Sequence, residues 1–312
     1  MKLNTYQKVA LTTVGAVIFL IFIGGLVRAS GAGLGCPDWP KCFGMWIPPT
    51  TASDLPSQFD QSQFNVIKTW TEYINRLIGV VIGLLITATF ILSFRYRKQN
   101  NAVFHSSGAA FVLVIIQGWL GGRVVATGLD EWLITLHMIL AMFIMMTLIF
   151  AVFKASENQF VITLSSTKRR WFLFTSVVLL AITFLQLGFG TQVREAIDVF
   201  KNMDTSPPRE NWISQIGFID NLHRSFSWVV LLAGGVLFYL TRWHSQSALI
   251  IKLGSWIFGL ILLQIATGIG LYYLGIPPLY QVVHLVGVAL LIALEFVLVL
   301  MLVKAGVNST AT

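Results

Sequence analysis

The chain has 312 residues, of which 56% are hydrophobic and only 11% are charged, and its mean hydropathy is +0.77. These values exclude a soluble domain and indicate a protein that crosses a membrane many times. The formal net charge of +8 reflects the basic residues that orient membrane helices, and it gives no reason to expect a nucleic acid partner.

Eight apolar segments are long enough to cross a bilayer, since each span needs about 20 residues. They cover residues 8–28, 70–94, 103–121, 132–153, 171–192, 219–241, 253–274 and 280–303. The first is too long for a signal peptide, and Arg28 next to Ala29–Ala32 is a poor cleavage context, so we expect it to remain a helix. The predicted fold is an all-α integral membrane protein with eight transmembrane helices.

Lysines and arginines are concentrated on one predicted side of the membrane, for example in Arg95–Lys98 and Lys168–Arg170. Because cytoplasmic loops carry the excess of basic residues, both termini are predicted to be cytoplasmic. No Arg-rich presequence precedes the first segment, which favours a bacterial cell (plasma) membrane over an organelle.

The first long loop, residues 29–69, is predicted to be extracytoplasmic and contains Cys36 and Cys42. A short spacer with two prolines separates them, and a disulfide is sterically feasible there in an oxidising compartment. Two cysteines do not complete a structural zinc site, which takes four ligands. The pair is either a structural cross-link or a redox-active dithiol, and both interpretations stay open.

The second segment begins with Trp70–Gly79, which carries Glu72, Asn75 and Arg76. An ionisable group in a transmembrane segment is costly and usually faces a bundle interior or a cavity. Glu72 and Asn75 share one helical face, whereas Glu72 and Arg76 are spaced i, i+4. A local Glu72–Arg76 ion pair at the mouth of the helix is the simpler alternative to a functional site.

Three of the five histidines, His137, His223 and His284, lie in even-numbered segments, about four to six residues from the predicted outer end, or ~6–9 Å deep at 1.5 Å per residue. A lone membrane histidine usually bonds a neighbouring helix, but three at matched depth favour metal ligation. Copper and zinc remain alternatives in principle, but no carboxylate or thiolate lies at the same depth beside His223 and His284. Two imidazoles on facing helices of a four-helix bundle suit the axial ligation of heme iron.

Arginines near the same predicted surface suit the binding of heme propionates, because the guanidinium fork matches a carboxylate. The alternative is that they snorkel to the membrane interface. The candidates are Arg28, Arg76, Arg123, Arg194 and Arg224.

Constant offsets between polar landmarks divide the chain into two similar halves. The offset is 148 residues from Asn75 to His223 and from Arg76 to Arg224, and 147 residues from His137 to His284 and from Gln117 to Gln264. We therefore predict two pseudo-symmetric four-helix bundles, residues 1–153 and 154–312, related by an axis along the membrane normal. Each has a long loop after its first helix, at 29–69 and about 193–218.

These motifs resemble those of the heme A synthase family. The stretch Gly25–Cys42 resembles the first-loop signature of the family, and Thr71–Leu77 and Asn221–Arg224 resemble its motifs in the second and sixth helices. The resemblance covers essentially the whole chain, and the cysteine loop is its most specific part.

The resemblance implies an oxidoreductase that converts heme O to heme A, for terminal oxidase assembly, by oxidising a ring methyl group to a formyl group. It implies that His223 and His284 hold heme b in the C-terminal half and that His137 contacts the substrate heme in the N-terminal half. Glu72 matches the glutamate required for the chemistry, as an acceptor of protons or a stabiliser of positive charge. Cys36 and Cys42 match a disulfide-forming pair.

Asn75 departs from the family pattern, because many members have histidine at this position. A neutral asparagine is a poor ligand for iron, so we expect the substrate heme to be held mainly by His137, with one iron face open or water-bound. An altered or lost activity is the other interpretation of this departure.

Two further functions stay open at this point. One is a membrane di-heme cytochrome b that passes electrons between a quinone and another protein, and the other is a heme transporter or chaperone. For the synthase, the implied partners are the lipid bilayer, heme O, a heme O synthase and a quinone or another electron acceptor. The sequence leaves the oligomeric state open.

Overall fold

The computed structural model describes residues 3–156, 162–201, 205, 208 and 211–307. In this part of the chain, eight helices are long and apolar enough to cross a membrane, which confirms the predicted fold class. They are α1 Thr5–Ala29, α2 Val66–Ser93, α3 Asn101–Ala126, α4 Glu131–Ser156, α5 Ser166–Lys201, α7 Phe218–His244, α8 Ala248–Tyr273 and α9 Pro278–Lys304. The short helix α6, Trp212–Ile216, directly precedes α7.

The remaining regular structure is minor. Three single 3₁₀ turns occur at Ala52–Asp54, Gln61–Gln63 and Phe94–Tyr96. Strand β1, Thr163–Leu164, pairs in parallel with β2, Gly306–Val307. These strands have two residues each and do not alter the all-helical class.

The chain divides into two compact units, Met1–Ala155 and Ser156–Thr312, here called the N-terminal unit and the C-terminal unit. In the N-terminal unit, α2 packs against α1 and α3. The side-chain Nε2 of Gln7 in α1 donates to the carbonyl of Ala155 in α4 at 2.7 Å, and the Gln117 side chain of α3 donates to the carbonyl of His137 in α4. The four helices therefore form a ring in which α2 and α4 stand opposite each other.

The C-terminal unit repeats this arrangement. Helix α5 packs against α7 and α9, and α8 packs against the same two helices. This second ring places α7 and α9 on opposite sides, so side chains from these two helices can meet in the interior of the bundle.

Several helices extend beyond the predicted apolar segments, including α2 at its start and α5 at its end. Helix α2 begins at Val66 because the Asn65 side chain caps it, accepting the backbone N–H of Lys68 at 3.0 Å. Helix α5 continues to Lys201, so the predicted loop 193–218 is wrong over its first part. Hydropathy marks the part of a helix that suits lipid, whereas helical hydrogen bonds continue into polar sequence. Of the rest of that loop, residues 202–204, 206–207 and 209–210 lie outside the described residues.

Candidate functional site

His137, His223 and His284 lie at closely matched depths in their helices. They follow the first residues of α4, α7 and α9 by six, five and six residues. At 1.5 Å of rise per residue this is a depth of about 8–9 Å. All three side chains are partly buried.

Each histidine is contacted by a glutamine and a glycine of the preceding long helix. A glutamine side chain donates to the backbone carbonyl of the histidine, and a glycine one turn later lies against the imidazole ring. The nitrogen–oxygen distances are 3.0 Å from Gln117 to His137, 2.9 Å from Gln186 to His223 and, with its amide turned the same way, 3.0 Å from Gln264 to His284. We call each such set of glutamine, glycine and histidine a cradle.

The cradle glycines are Gly121, Gly190 and Gly268. A Cβ atom would lie 3.2 Å from Cε1 of His137 at Gly121 and 3.2 Å from Cε1 of His223 at Gly190, which is tighter than ordinary contact. At Gly268 it would lie 3.7 Å from Cε1 of His284, an ordinary contact. The Gln-x₃-Gly spacing on α3, α5 and α8 is present in the sequence and could have predicted all three cradles. Gln117 and Gln264 were identified as matching residues, whereas Gln186 was missed.

The two histidines of the C-terminal unit face each other across the bundle. Their ring centroids are 6.4 Å apart and the rings are inclined by 67°. Two imidazoles on one metal ion need centroids about 6.3 Å apart, since each metal–nitrogen bond is about 2.0–2.1 Å and the ring centre lies roughly 1.1 Å further. Among the described residues, no hydrogen bond involves Nε2 of His223 or His284. The pair therefore fits a heme iron held from both sides.

The N-terminal unit has only one histidine at this level. His137 Nδ1, Gln117 Oε1 and Asn75 Oδ1 are all buried and lack a hydrogen-bond partner within the described part of the chain. Buried polar atoms are nearly always paired, so three unpaired atoms on α2, α3 and α4 indicate a place for a ligand. Asn75 occupies α2, which stands opposite the helix of His137.

Glu72 lies beneath the cysteine loop and is only 3% exposed. Its Oε2 accepts the backbone N–H of Cys36 at 2.8 Å, and its Oε1 accepts Arg76 Nε at 3.1 Å as well as Arg76 Nη2. The local ion pair that the sequence offered as an alternative is therefore present. It also anchors the loop that carries the cysteines.

Arg76 binds the same loop through backbone carbonyls. Its Nη1 donates to Asp38 at 2.7 Å and Lys41 at 2.9 Å, and its Nη2 donates to Cys36 at 3.2 Å. Together with the bonds to Glu72, these occupy all five N–H donors of the guanidinium. A propionate could bind here only by displacing one of these partners.

Cys36 and Cys42 form a disulfide, as predicted, and both residues are fully buried. The Asp38 carboxylate closes the loop by accepting the backbone N–H groups of Phe43 at 2.6 Å and Gly44 at 2.9 Å. The loop lies so close to α2 that a Cβ on Gly35 would overlap the backbone of Lys68. Glycine is therefore required at position 35 by close approach.

Two other propionate candidates already have acidic or amide partners. Arg224 Nε pairs with Asp220 Oδ2 at 2.8 Å, and its guanidinium lies 4.6 Å from the centroid of the Tyr272 ring. Arg194 pairs with Asp198 at 2.9 Å and donates to Gln281 Oε1 at 2.7 Å.

The last two candidates lie in the N-terminal unit. Arg28 Nη1 is 3.8 Å from the sulfur of Met138, the residue after His137. Arg123 is exposed and lines a cleft of about 410 Å³ together with Asp38, Trp39 and Trp119. Arg28 and Arg123 are thus both in the unit predicted to receive the substrate.

Glu295, a carboxyl group within the apolar run of α9, was not among the predicted site residues. It is 1% exposed, and Thr183 Oγ1 donates to its Oε1 at 3.0 Å. Its Oε2 is buried without a partner among the described residues. An intramembrane carboxyl is a functional candidate, and its position inside the eighth apolar segment was the available signal.

The fold and the site together define an integral membrane protein of two four-helix units, with a pair of opposed histidines in the second unit. Residues 7–296 match the model of the cytochrome oxidase assembly protein family, COX15-CtaA, and the chain belongs to that family. This match confirms the family resemblance that the sequence motifs indicated.

Three similar curated proteins are each named Heme A synthase. A Heme A synthase from Orientia tsutsugamushi (strain Boryong) is 26% identical across 88% of this chain and 90% of its own length. The Heme A synthase of Shewanella oneidensis is 25% identical, with the same 88% and 90% coverage. The Heme A synthase of Alkalihalophilus pseudofirmus is 31% identical over 44% of this chain and 40% of that protein.

Proposed function

We propose that this protein is a heme A synthase that oxidises the ring methyl group of heme O to the formyl group of heme A. Family membership and the name shared by the relatives support the activity. The observation that carries the proposal is the difference between the units. Both contain the cradle, but only the C-terminal unit opposes two histidines, whereas the N-terminal unit opposes His137 to Asn75.

In the C-terminal unit, His223 and His284 would hold heme b through Nε2. Held by two histidines, this heme iron would have no free position, so the group would supply electron transfer rather than oxygen chemistry. Gln186 and Gln264 fix the backbone of the two histidines, and Gly190 lets the ring of His223 lie close to α5.

In the N-terminal unit, His137 would bind the iron of the substrate heme O. Asn75 would leave the other face open, and its unpaired Oδ1 is available as a hydrogen-bond acceptor. Arg28 and Arg123 are the propionate partners that this unit offers without disturbing the anchor of the cysteine loop. The farnesyl tail of the substrate would lie among apolar side chains.

With water as the source of the formyl oxygen, oxidation of the methyl group to the formyl group releases four protons and four electrons, and Glu72 is the proposed acceptor of those protons. An ionised carboxylate has about four acceptor positions, and Cys36 and Arg76 occupy three of those on Glu72. At most one position on Oε2 is then available to the substrate side. The electrons need an acceptor, for which a quinone is the proposed partner, and a heme O synthase would deliver the substrate. We also propose that both termini are cytoplasmic, as the basic residues predict.

The activity is tested by expressing the protein together with a heme O synthase in a bacterial host that makes no heme A. Pigments extracted from the membranes should contain heme A, and cells with the heme O synthase alone should contain only heme O. Unchanged heme O in the presence of the folded protein would rule out the synthase. Such a protein with a bound b-type heme would be a di-heme cytochrome or a heme carrier.

The ligand assignment has its own test. His223→Ala and His284→Ala should each abolish the low-spin b-type absorption spectrum of the purified protein. His244 lies at the end of α7 and is exposed, so His244→Ala is the matched control and should retain the spectrum. A normal spectrum in either of the first two variants would refute that ligand.

A further inference from the structure

We propose that Thr267 is a positioning residue that sets the tautomer of His284 and makes it the stronger of the two axial ligands. The inference rests on the proposed heme b site. In this arrangement Nδ1 of His284 carries the proton and donates it to Thr267 Oγ1, so Nε2 keeps the lone pair that a metal requires.

The contact between the two side chains is short and lies mostly away from solvent. Thr267 Oγ1 lies 2.8 Å from His284 Nδ1, and Thr267 is 6% exposed. It immediately precedes Gly268, the glycine that lies against the same ring. A hydrogen bond in this environment is protected from water and holds the ring in one orientation.

The direction of the hydrogen bond follows from the other partners of the hydroxyl. Thr267 Oγ1 also lies 2.9 Å from the carbonyl of Leu263 and 3.1 Å from that of Gln264, neither of which can donate a proton. The single hydroxyl proton therefore points to the helix backbone. The lone pairs of Oγ1 are left for the ring, which must supply the proton from Nδ1.

The other two cradles lack a threonine at the position of Thr267. The residue before the cradle glycine is Leu120 on α3 and Phe189 on α5, neither of which offers a side-chain acceptor. Accordingly, Nδ1 of His137 and Nδ1 of His223 have no hydrogen-bond partner in the described residues. Thr267 therefore distinguishes His284 from the other two histidines.

Gln264 is the rival partner of Nδ1. With its amide turned as in the other cradles, its nitrogen lies 3.1 Å from His284 Nδ1 and 3.0 Å from the His284 carbonyl. A bond from this amide to Nδ1 would place the ring proton on Nε2 and oppose metal binding there. The amide nitrogen has two N–H groups, and one of them satisfies the His284 carbonyl, as it does for Gln117 and Gln186. The second competes with Thr267 for Nδ1 but at the longer distance, 3.1 Å against 2.8 Å, so we assign Nδ1 to Thr267.

Loss of the Thr267 bond should weaken the hold on ferric iron more than on ferrous iron, because a hydrogen-bonded imidazole donates more electron density. Loss of such an outer partner typically lowers metal affinity by 10–100-fold. If the affinity for ferric heme falls tenfold and that for ferrous heme is unchanged, the one-electron midpoint potential rises by about 59 mV.

The experiment compares the purified, heme-loaded wild type with Thr267→Val, Thr267→Ser and Thr241→Val. Valine removes the hydroxyl at constant shape, whereas serine retains it. Thr241 is a fully buried threonine of the same unit whose hydroxyl bonds to the Phe238 carbonyl, which makes it the matched control. The readouts are the rate of heme transfer to an excess of apomyoglobin and the midpoint potential from a spectroscopic redox titration.

Thr267→Val should lose ferric heme at least tenfold faster and show a higher midpoint potential, while Thr267→Ser and Thr241→Val should match the wild type. Wild-type values in Thr267→Val would overturn the inference, as would equal losses in the serine and valine variants. A shift in Gln264→Leu without one in Thr267→Val would assign the tautomer to Gln264 instead. If the wild type binds heme b but makes no heme A, the proposed activity is contradicted, whereas the role of Thr267 at the heme b site is unaffected.

Discussion

The backbone N–H of Cys36 donates a hydrogen bond to the Glu72 carboxylate at 2.8 Å, which joins the disulfide loop to α2. The residue to which the resemblance assigns chemistry is therefore also the anchor of the loop. Arg76 strengthens this link, because it contacts the same carboxylate and three carbonyls of the loop.

Glu72→Ala should destabilise the protein and release the loop. It leaves the mostly buried Arg76 without its anion, and breaking a buried ion pair costs about 3–5 kcal/mol. We expect a lower unfolding temperature and faster proteolysis within residues 29–69. Asp54→Ala is the control, because Asp54 is an exposed carboxylate of the same loop and its removal should change stability by less than about 0.5 kcal/mol. Equal protease resistance of Glu72→Ala and the wild type would contradict the anchoring role.

Glu72→Gln separates chemistry from anchoring. The glutamine retains an oxygen that can accept from either Cys36 or Arg76, so the loop should stay closer to its native protease resistance than in Glu72→Ala. The neutral amide cannot accept a proton, so heme A formation in the co-expression assay should stop. Full heme A formation by this variant would restrict Glu72 to its structural task.

Gly35→Ala should displace the cysteine loop from α2, because the added Cβ would overlap the Lys68 backbone. Overpacking of this kind typically costs about 1–3 kcal/mol, which thermal unfolding would detect. Gly24→Ala is the control, since nothing lies within 4 Å of a Cβ at that position. Similar unfolding temperatures for the two variants would show that the loop is not held at this distance.

The cradle glycines predict a graded effect on the b-type heme. Gly190→Ala would place a methyl group 3.2 Å from the His223 ring, whereas Gly268→Ala would place it at an ordinary 3.7 Å from the His284 ring. We therefore expect reduced heme content and an altered low-spin spectrum in Gly190→Ala, with Gly268→Ala close to wild type. The opposite order in heme content would contradict the cradle geometry.

Asn75→His should supply the missing ligand of the N-terminal unit. A second histidine opposite His137 would convert an open iron face into a closed one, so a further low-spin signal should appear when heme O is supplied. Heme A formation should decrease if the reaction needs the open face. Asn75→Leu, of similar size but unable to bind iron, should add no such signal, and its appearance there would refute the assignment.

Glu295 should behave as a neutral buried group. An unpaired carboxylate is costly in this position, whereas Glu295→Gln keeps an oxygen for Thr183 and should change stability by about 1 kcal/mol or less. Glu295→Lys introduces a buried cation and should prevent stable folding. Glu131→Lys, at the exposed start of α4, controls for the charge change. Strong destabilisation by Glu295→Gln, measured by thermal unfolding, would show that a charged carboxylate is required.

Much of the architecture was predictable from hydropathy and spacing. The eight spans are confirmed because a chain in lipid must satisfy its backbone hydrogen bonds internally, which makes long apolar runs helical. The same criterion misplaced the end of α5, because residues 193–201 include four charged side chains yet remain helical. The family was predictable from the motif around Cys36 and Cys42, and the family match confirms it.

The role of the Trp70–Gly79 stretch could not be derived from the sequence, which presented Glu72 and Arg76 either as a local pair or as a functional site. Their contacts with the loop join residues more than 30 positions apart, and no helical periodicity reports such distances. The bond between Thr267 and His284 was equally hidden, because these residues lie 17 positions apart on different helices.

By itself, the sequence determined the membrane spans, the cysteine pair and the level of the three histidines, because these depend on helix length and local spacing. Only the tertiary structure decided which side chains meet across the bundles. Those contacts depend on how neighbouring helices are rotated and how closely glycine lets them approach, which a linear pattern does not encode.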